Sequence, residues 1–353
     1  MQNPFTLKFS GNKRIISYLI ASGFVVISIL LAISIGSVQV PIKEIITILG
    51  REVFHLPLEE PNKTMYTAIV MNIRLPRVLL AGIVGASLAL AGAAFQGLLR
   101  NPLADPYTLG VSSGASVGAV VVLFFHISLP FIGEFTLPFL SIIASFVTIF
   151  LVLLFARSIE PAMKVETIIL TGIIFSSFLG ALLSLMIALS GEELRQIIGW
   201  LLGSVSMRGW SYIKIILPFF LIGGFVLMLH TRELNALTFG EERAKNLGVN
   251  VEKRKLLILA AGSLLTGAAV AVSGTIGFVG LVIPHLVRLL WGPDHRHLLP
   301  LSMLVGAGFL ILTDLVARTI IQPAELPIGV ITALIGAPVF AGILVKRRME
   351  RRG

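Results

Sequence analysis

Long apolar runs separated by short polar segments make up most of the chain. Residues 15–35, 78–99, 135–156 and 167–190 contain no Asp, Glu, Lys or Arg, and each run is longer than 20 residues. A helix of about 20 apolar residues crosses the hydrocarbon core of a bilayer. These runs therefore predict four membrane-spanning helices.

Six more apolar segments predict further spans. Five of them are residues 106–133, 215–229, 256–284, 298–317 and 327–345. The sixth, residues 278–291, is shorter, and Gly274 and Gly277 separate it from the run before it. The expected fold class is an all-α polytopic membrane protein with about ten transmembrane helices, in one domain over residues 1–353.

Two polar segments are expected to hold helices that do not span the membrane. Residues 37–65 are long enough for a short surface helix on the outer side. Residues 192–211 are too short and too charged to span, but Ile197, Ile198, Trp200 and their neighbours form an apolar face. That pattern predicts a helix lying at the outer membrane interface.

The longest strongly polar stretch, residues 235–255, carries helix start and stop signals. Thr238 and Glu241 have the spacing of a capping box, and Glu241 and Glu242 suit the positive first turn of a helix. Gly248 is a natural terminator. Because so short a helix is marginal in water, we expect a partner to hold it.

Composition supports a membrane protein. Hydrophobic residues make up 56% of the chain and charged residues 13%, against about 25% charged in soluble domains. The absence of cysteine excludes disulfides, thiolate metal sites and cysteine catalysis.

The net charge of +10 could suggest nucleic acid, but the placement of the basic residues disfavours that partner. With the N-terminus in the cytoplasm and ten spans, 19 of the 28 basic residues lie inside. The positive-inside rule selects this orientation, with both termini cytoplasmic. The first apolar run, after Lys13 and Arg14, could be a cleaved signal peptide, but it is longer than the usual signal core, so an uncleaved span is expected.

Common catalytic and nucleotide-binding motifs are missing from the sequence. No G-x-x-x-x-G-K-[ST] loop, H-E-x-x-H or G-x-S-x-G occurs, so ATP is not bound through a phosphate loop in this chain. Asp294, His295 and His297 could hold a metal, but Arg296 repels cations, and a solvated turn is expected instead.

Four charged residues near span ends are candidates for function because charges are costly in a bilayer. Asp314 and Arg318 lie four apart, so they can form an ion pair on one helical face. Arg74 and Arg77 open the second span on the outer side. They either anchor the helix at the headgroups or, with Arg318, face outward and dock an acidic partner.

Three long motifs resemble the permeases of the iron-siderophore and cobalamin uptake ABC transporters. They are RLPRVLLAGIVGASLALAGAAFQGLLRNPLADPYTLGVSSGASVGA (74–118), GTIGFVGLVIPHLVRLLWGPDHRHLLP (274–300) and AELPIGVITALIGAPVFAGILV (324–345). The resemblance covers residues 15–346 in order. It implies ten helices per subunit and a second permease subunit, which is either another copy or a paralogue. It also implies two cytoplasmic ATPase subunits that hold ATP and Mg²⁺, and an external substrate-binding protein.

The resemblance also implies roles for particular residues. Residues 238–249 would form the coupling helix that fits a groove on the ATPase, outer arginines would receive glutamates of the binding protein, and hydroxyl residues of the fifth span would line the pathway. The coupling residues are Glu241, Glu242, Ala244, Leu247 and Gly248; the docking residues are Arg74, Arg77 and Arg318; the pathway residues are Thr171, Ser176, Ser177 and Ser184. The family's small hydroxyl residues before the fifth span are replaced here by Lys164-Val165-Glu166. The resemblance therefore does not identify the residues of the inner gate.

The expected function is the transmembrane subunit of an ABC importer for a ferric siderophore in a bacterial cytoplasmic membrane, without an ATP site or cofactor of its own. The close alternative is the same machine carrying cobalamin or haem. A self-sufficient secondary transporter that uses Asp314 and Arg318 for ion coupling is a rival, but it leaves the coupling helix unexplained. An intramembrane enzyme is a weaker rival, because no nucleophile–base pair is recognisable in the spans.

Overall fold

The structure, a computed structural model, describes residues 11–53, 55–56 and 64–350, which are helical with no β-strand among them. In chain order the helices are α1 (Gly11–Ser34), α2 (Ile42–Glu52), α3 (Thr64–Ala68), α4 (Leu75–Leu98), α5 (Val111–Phe124), α6 (Thr136–Ile159), α7 (Val165–Leu189), α8 (Leu194–Leu201), α9 (Gly209–Leu229), α10 (Thr231–Thr238), α11 (Glu241–Asn246), α12 (Val251–Ser273), α13 (Val279–Trp291), α14 (His295–Thr319) and α15 (Ile328–Glu350). A π-helical turn, Ile69–Arg74, joins α3 to α4.

The spans predicted from hydropathy are confirmed. Among the described residues, seven helices are long and apolar enough to cross a bilayer, namely α1, α4, α6, α7, α9, α12 and α14. Two shorter apolar helices, α5 and α13, and the apolar part of α15, Ile328–Ile343, account for the remaining predicted segments.

Two of these helices, α5 and α13, are shorter than their apolar sequence suggests. At about 1.5 Å per residue, their 14 and 13 residues fall short of a hydrocarbon core of roughly 30 Å. Non-helical backbone at that depth is tolerated only inside protein. Here the Tyr107 hydroxyl accepts a hydrogen bond from the Ile276 amide at 2.7 Å, so the segment before α5 supports the segment before α13.

The centre of the bundle is built on α4 and α12, whose most apolar stretches are 83% and 78% buried. Small residues let neighbouring backbones approach α4 closely. A Cβ at Gly92 would lie 1.9 Å from the Gly280 carbonyl oxygen of α13, and one at Gly85 would lie 2.3 Å from the Gly306 oxygen of α14. Such contacts between small residues are how helices associate in lipid.

The first apolar run is an integral part of this packing. On α1, the Tyr18 hydroxyl lies 3.1 Å from His297 Nδ1, and Phe24 packs against Gly308 of α14, where any Cβ would lie 2.4 Å from the ring. The chain therefore uses α1 as a packed helix of the fold.

The two predicted surface helices exist. Helix α2 lies in the loop over residues 37–65, and α8 lies within residues 192–211. The interfacial placement of α8 stays a prediction; Ile197 is fully buried and Trp200 is 6% exposed. These side chains pack on the protein, and Ile198 and Leu202 provide the exposed apolar surface.

The expectation of a solvated turn at residues 294–297 is wrong. Asp294 accepts a hydrogen bond from the Arg296 amide and caps α14. His295 is 2% exposed, with its Nδ1 2.8 Å from Asn235 Oδ1 of α10. Asp294 and His297 are half-buried and Arg296 is exposed, so this segment is a partly buried helix start. Within the described residues no group of three or more potential metal ligands occurs.

Candidate functional site

Charged side chains gather at both ends of the bundle. One end, called the arginine end, contains Arg74, Arg77 and Arg318. The opposite end, called the α11 end, contains α10, α11 and the turn between α6 and α7.

Arg77 joins three segments at the arginine end. Its Nε and Nη2 donate to both carboxylate oxygens of Asp314 on α14, at 2.9–3.1 Å. Its Nη1 and Nη2 also bond the Glu325 carboxylate at 2.8 and 3.0 Å. Asp314 is 1% exposed, so this paired, charge-assisted geometry is what makes a buried carboxylate tolerable.

Arg74 and Arg318 are held by backbone carbonyls of the first span. Arg74 donates to the oxygens of Ile33, at 2.5 Å, and Ser34, at 3.0 Å. Arg318 donates to the Ala32 oxygen. Both arginines therefore fasten the end of α1 to the bundle.

The arginine side chains are buried rather than displayed outward. Arg74 is 4% exposed, and the side chains of Arg77 and Arg318 are 11% and 8% exposed. Glu325, at 41%, is the more exposed member of the network. The hydrogen bond from Arg77 holds the pKa of the Glu325 carboxyl below its usual value. The docking role stays a prediction, and burial means that a partner carboxylate would have to compete with Glu325.

Two features of this network were missed by sequence reasoning. The predicted ion pair between Asp314 and Arg318 is present at 3.8 Å, but the closer partner of Asp314, Arg77, was not predicted. Glu325 was not singled out at all. A carboxylate two residues before the Pro327 that precedes the last span was the available signal, because charge beside a span normally has a partner.

At the α11 end, the helix predicted over residues 238–249 is the shorter α11, Glu241–Asn246, and the capping box is wrong. Thr238 ends α10, and its hydroxyl bonds the Asn235 carbonyl. Gly240 begins α11 with φ +109° and no side-chain cap. The Glu241 carboxylate instead accepts from Lys255 Nζ of α12 at 2.7 Å. Glu241 therefore forms an ion pair with Lys255 of α12 instead of a capping box with Thr238.

The predicted coupling residues divide into buried and exposed sets. Ala244 is fully buried in the core of its own chain, so its small size is explained by internal packing rather than by a partner's groove. Leu247 is 70% exposed, and Phe239, just before α11, is 64% exposed. Glu242 is exposed as well. Gly248 has φ +82°, which confirms the left-handed terminator.

The predicted pathway residues on α7 do not share one face. Thr171 is 1% exposed, and the Ser176 hydroxyl is buried close to Gly110. Ser177 and Ser184, seven residues apart, are both exposed. They lie among large exposed apolar residues such as Phe178, which is 67% exposed. The lining role therefore stays a prediction, and Ser177 and Ser184 are the residues placed to fulfil it.

Comparison with known proteins finds one family over most of the chain. Residues 24–346 match the FecCD transport family. The chain is 60% identical over 352 residues to the uncharacterized ABC transporter permease protein YvrB of Bacillus subtilis, covering 100% of this chain and 99% of that protein.

Relatives with a named cargo differ from one another. The cobalamin import system permease protein BtuC of Halobacterium salinarum is 44% identical, over 80% of this chain and 74% of that protein. The Fe(3+) dicitrate transport system permease protein FecD of Escherichia coli is 40% identical, over 79% and 86%. Among solved structures, an inward-facing ABC transporter of the metal-chelate type superposes with a TM-score of 0.81 at 36% identity, covering 94% of this chain and 99% of that one.

Proposed function

Because this chain belongs to the FecCD transport family, we propose that it forms the membrane pathway of an ABC importer for a ferric siderophore. The family consists of permease subunits of ABC importers, and their ATPase is a separate subunit. The family match over residues 24–346 is the observation that carries the proposal. The multi-span helical fold embeds the chain in a membrane.

The proposed cargo is supported by relatives and by the matched fold. FecD carries Fe(3+) dicitrate by name, and the superposed structure is of the metal-chelate type. Cobalamin and haem are the second candidates, because the cobalamin permease is 44% identical and the hemin permease HmuU of Yersinia pestis 41% identical. An exposed pathway face of hydroxyl and apolar side chains suits any of these bulky chelates.

The two ends of the bundle then receive different partners. The α11 end faces the cytoplasm, where Leu247 and Phe239 offer apolar side chains to the ATPase. The arginine end faces outward and receives the substrate-binding protein, with the charge network fixing the register of docking. A second permease subunit packs beside this one and completes the pathway.

Ion-coupled secondary transport is disfavoured by the surroundings of Asp314. Such a carrier needs a carboxylate that exchanges a proton or cation during the cycle. Both oxygens of the Asp314 carboxylate accept hydrogen bonds from Arg77, which leaves the carboxylate in a structural ion pair.

The proposed function is tested by uptake in bacteria that lack their own importers. The chain is expressed with an ATPase and a binding protein from the same organism, and cells receive radioactive iron in a hydroxamate siderophore, radiolabelled cobalamin or haemin. We expect ATPase-dependent accumulation of iron. Accumulation of cobalamin or haem alone would select the second candidates, and uptake that persists without the ATPase would overturn the importer assignment.

A further inference from the structure

A buried lysine joins α11 to the turn that precedes α7. Lys255, in the second turn of α12, is 2% exposed. Its ammonium donates to Glu241 Oε1 at 2.7 Å and to the Met163 carbonyl oxygen at 2.8 Å. A buried charge requires partners, and these two come from different elements, α11 and the α6–α7 turn.

The α6–α7 turn is itself tied to the start of α7. The Met163 amide donates to the Glu160 carbonyl at 2.9 Å, and the Ile168 amide donates to the Lys164 carbonyl at 3.1 Å. The Thr167 hydroxyl of α7 bonds the Glu160 carboxylate at 2.8 Å. A displacement of the Met163 carbonyl must therefore move the first turn of α7.

The hydrogen bonds of Lys255 fix the position of α11 relative to the α6–α7 turn, whereas the other contacts between them do not. Ala244 of α11, Met163 of the α6–α7 turn and Val165 at the start of α7 belong to one continuous buried cluster, and apolar surfaces of this kind can slide. Farther out, α11 and the α6–α7 turn face each other across an open cavity of 580 Å³ lined by Lys164, Glu166, Glu241 and Glu242 among others. Hydrogen bonds from a charged donor hold fixed angles and distances, so Lys255 resists sliding at the inner edge of this gap.

We propose that Lys255 is the joint through which movement of α11 reaches the pathway helix α7. It acts as a positioning residue: it makes the α6–α7 turn move together with α11, whichever substrate is transported. The inference rests on the proposed function, in which an ATPase contacts α11. Movement at Met163 would then be delivered along α7 toward Ser177 and Ser184.

The experiment uses the absence of native cysteines. A cysteine replaces exposed Glu166 in the first turn of α7 and carries a spin label, and the complete transporter is assembled with its ATPase and binding protein in proteoliposomes. The label spectrum is compared without nucleotide and with MgATP plus vanadate. The test variant is the neutral pair Lys255→Met with Glu241→Gln; the matched control is Lys253→Met with Glu252→Gln, two exposed residues of the same helix.

We expect the native chain and the control to show an ATP-dependent change at residue 166. Because Glu241 is also a predicted coupling residue, Glu241→Gln alone is the reference for ATPase association and hydrolysis. The neutral pair should lose the spectral change while it binds the ATPase and hydrolyses ATP as well as this single variant, which should keep the change. Lys255→Arg, which keeps charged donors, should retain part of it. A full spectral change in the neutral pair would overturn the proposal. Loss of ATPase association beyond that of Glu241→Gln alone would overturn it too, because Lys255 would then merely hold α11 in place.

A second variant covers the case in which the neutral pair does not fold. The swapped pair Lys255→Glu with Glu241→Lys keeps the ion pair between α11 and α12 but presents a carboxylate to the Met163 carbonyl. Loss of the spectral change with a stable chain supports the joint, and a retained change overturns it. Failure of both variants to fold would assign Lys255 to stability and also overturn it. An unmodified chain that binds no ATPase and shows no response would instead refute the proposed function.

Discussion

Arg77 is the residue on which the arginine end depends, because it bonds Asp314 and Glu325 together. Replacing Arg77 by Met should destabilise the protein by about 3–5 kcal/mol, since it removes the bidentate partner of a buried carboxylate. Glu325→Gln should cost less than about 1 kcal/mol, because that partner is exposed. Thermal unfolding of the purified chain in detergent measures both. Equal losses in the two variants would contradict the view that burial of Asp314 sets the cost.

Glu325 is expected to compete with the binding protein for Arg77. Glu325→Gln weakens the internal ion pair, so association with the binding protein should tighten by up to about fivefold, equivalent to roughly 1 kcal/mol. The gain should be larger at low salt, where screening is least. Titration of the assembled transporter with labelled binding protein measures it, with Glu52→Gln on α2 as the matched control. Unchanged or weaker binding would rule out competition.

Helix α11 has an outer and an inner face, and substitutions should separate them. Leu247→Asp places a charge on a side chain that is 70% exposed, so the chain should stay folded while the ATPase co-purifies poorly. Ala244→Glu buries an unpaired carboxylate in the chain's own core, so the protein itself should fail to fold. Co-purification of the ATPase with the chain, and the folded state of the chain in detergent, distinguish the two variants. A folded Ala244→Glu variant that lost only the ATPase would restore the original idea of a partner's groove.

The close packing of α4 against α14 is a second feature at the scale of elements. Gly85→Ala would bring a methyl group within 2.3 Å of the Gly306 carbonyl oxygen, so the two helices must separate, at a cost of about 1–3 kcal/mol. In Gly224→Ala on α9 the added carbon meets only Leu90 Cδ2 at 3.6 Å. That control should be neutral or gain up to about 1 kcal/mol from helix propensity. Unfolding temperatures that do not differ would contradict the packing argument.

At the scale of the whole molecule, the orientation of the bundle can be measured directly. Single cysteines at Asn246 and Glu52 should react with a membrane-impermeant thiol reagent from the inside and from the outside of the membrane, respectively. A reporter fused after Gly353, which lies outside the described residues, should be cytoplasmic, because basic residues concentrate on that side. Labelling of Asn246 from outside would invert the threading and remove α11 from contact with an ATPase.

Hydropathy alone predicted the number and approximate positions of the spans, because insertion into a bilayer depends on the local sum of apolar residues along a helix. A local pattern was also enough to predict the terminator Gly248, because its φ of +82° is required by the end of α11 itself. The long motifs were enough to indicate the family, since they preserve residue order over most of the chain.

Tertiary structure decided the partners of the charged and small residues. Arg77 and Asp314 are 237 positions apart, and Glu241 forms an ion pair with Lys255 of α12 rather than a capping box with the nearby Thr238. Ala244 turned inward, and α5 and α13 became short helices supported by buried connections. The physical reason is common to all of them: a buried charge or a small residue is stabilised by whichever helix lies beside it, and adjacency between distant segments is not contained in any local pattern.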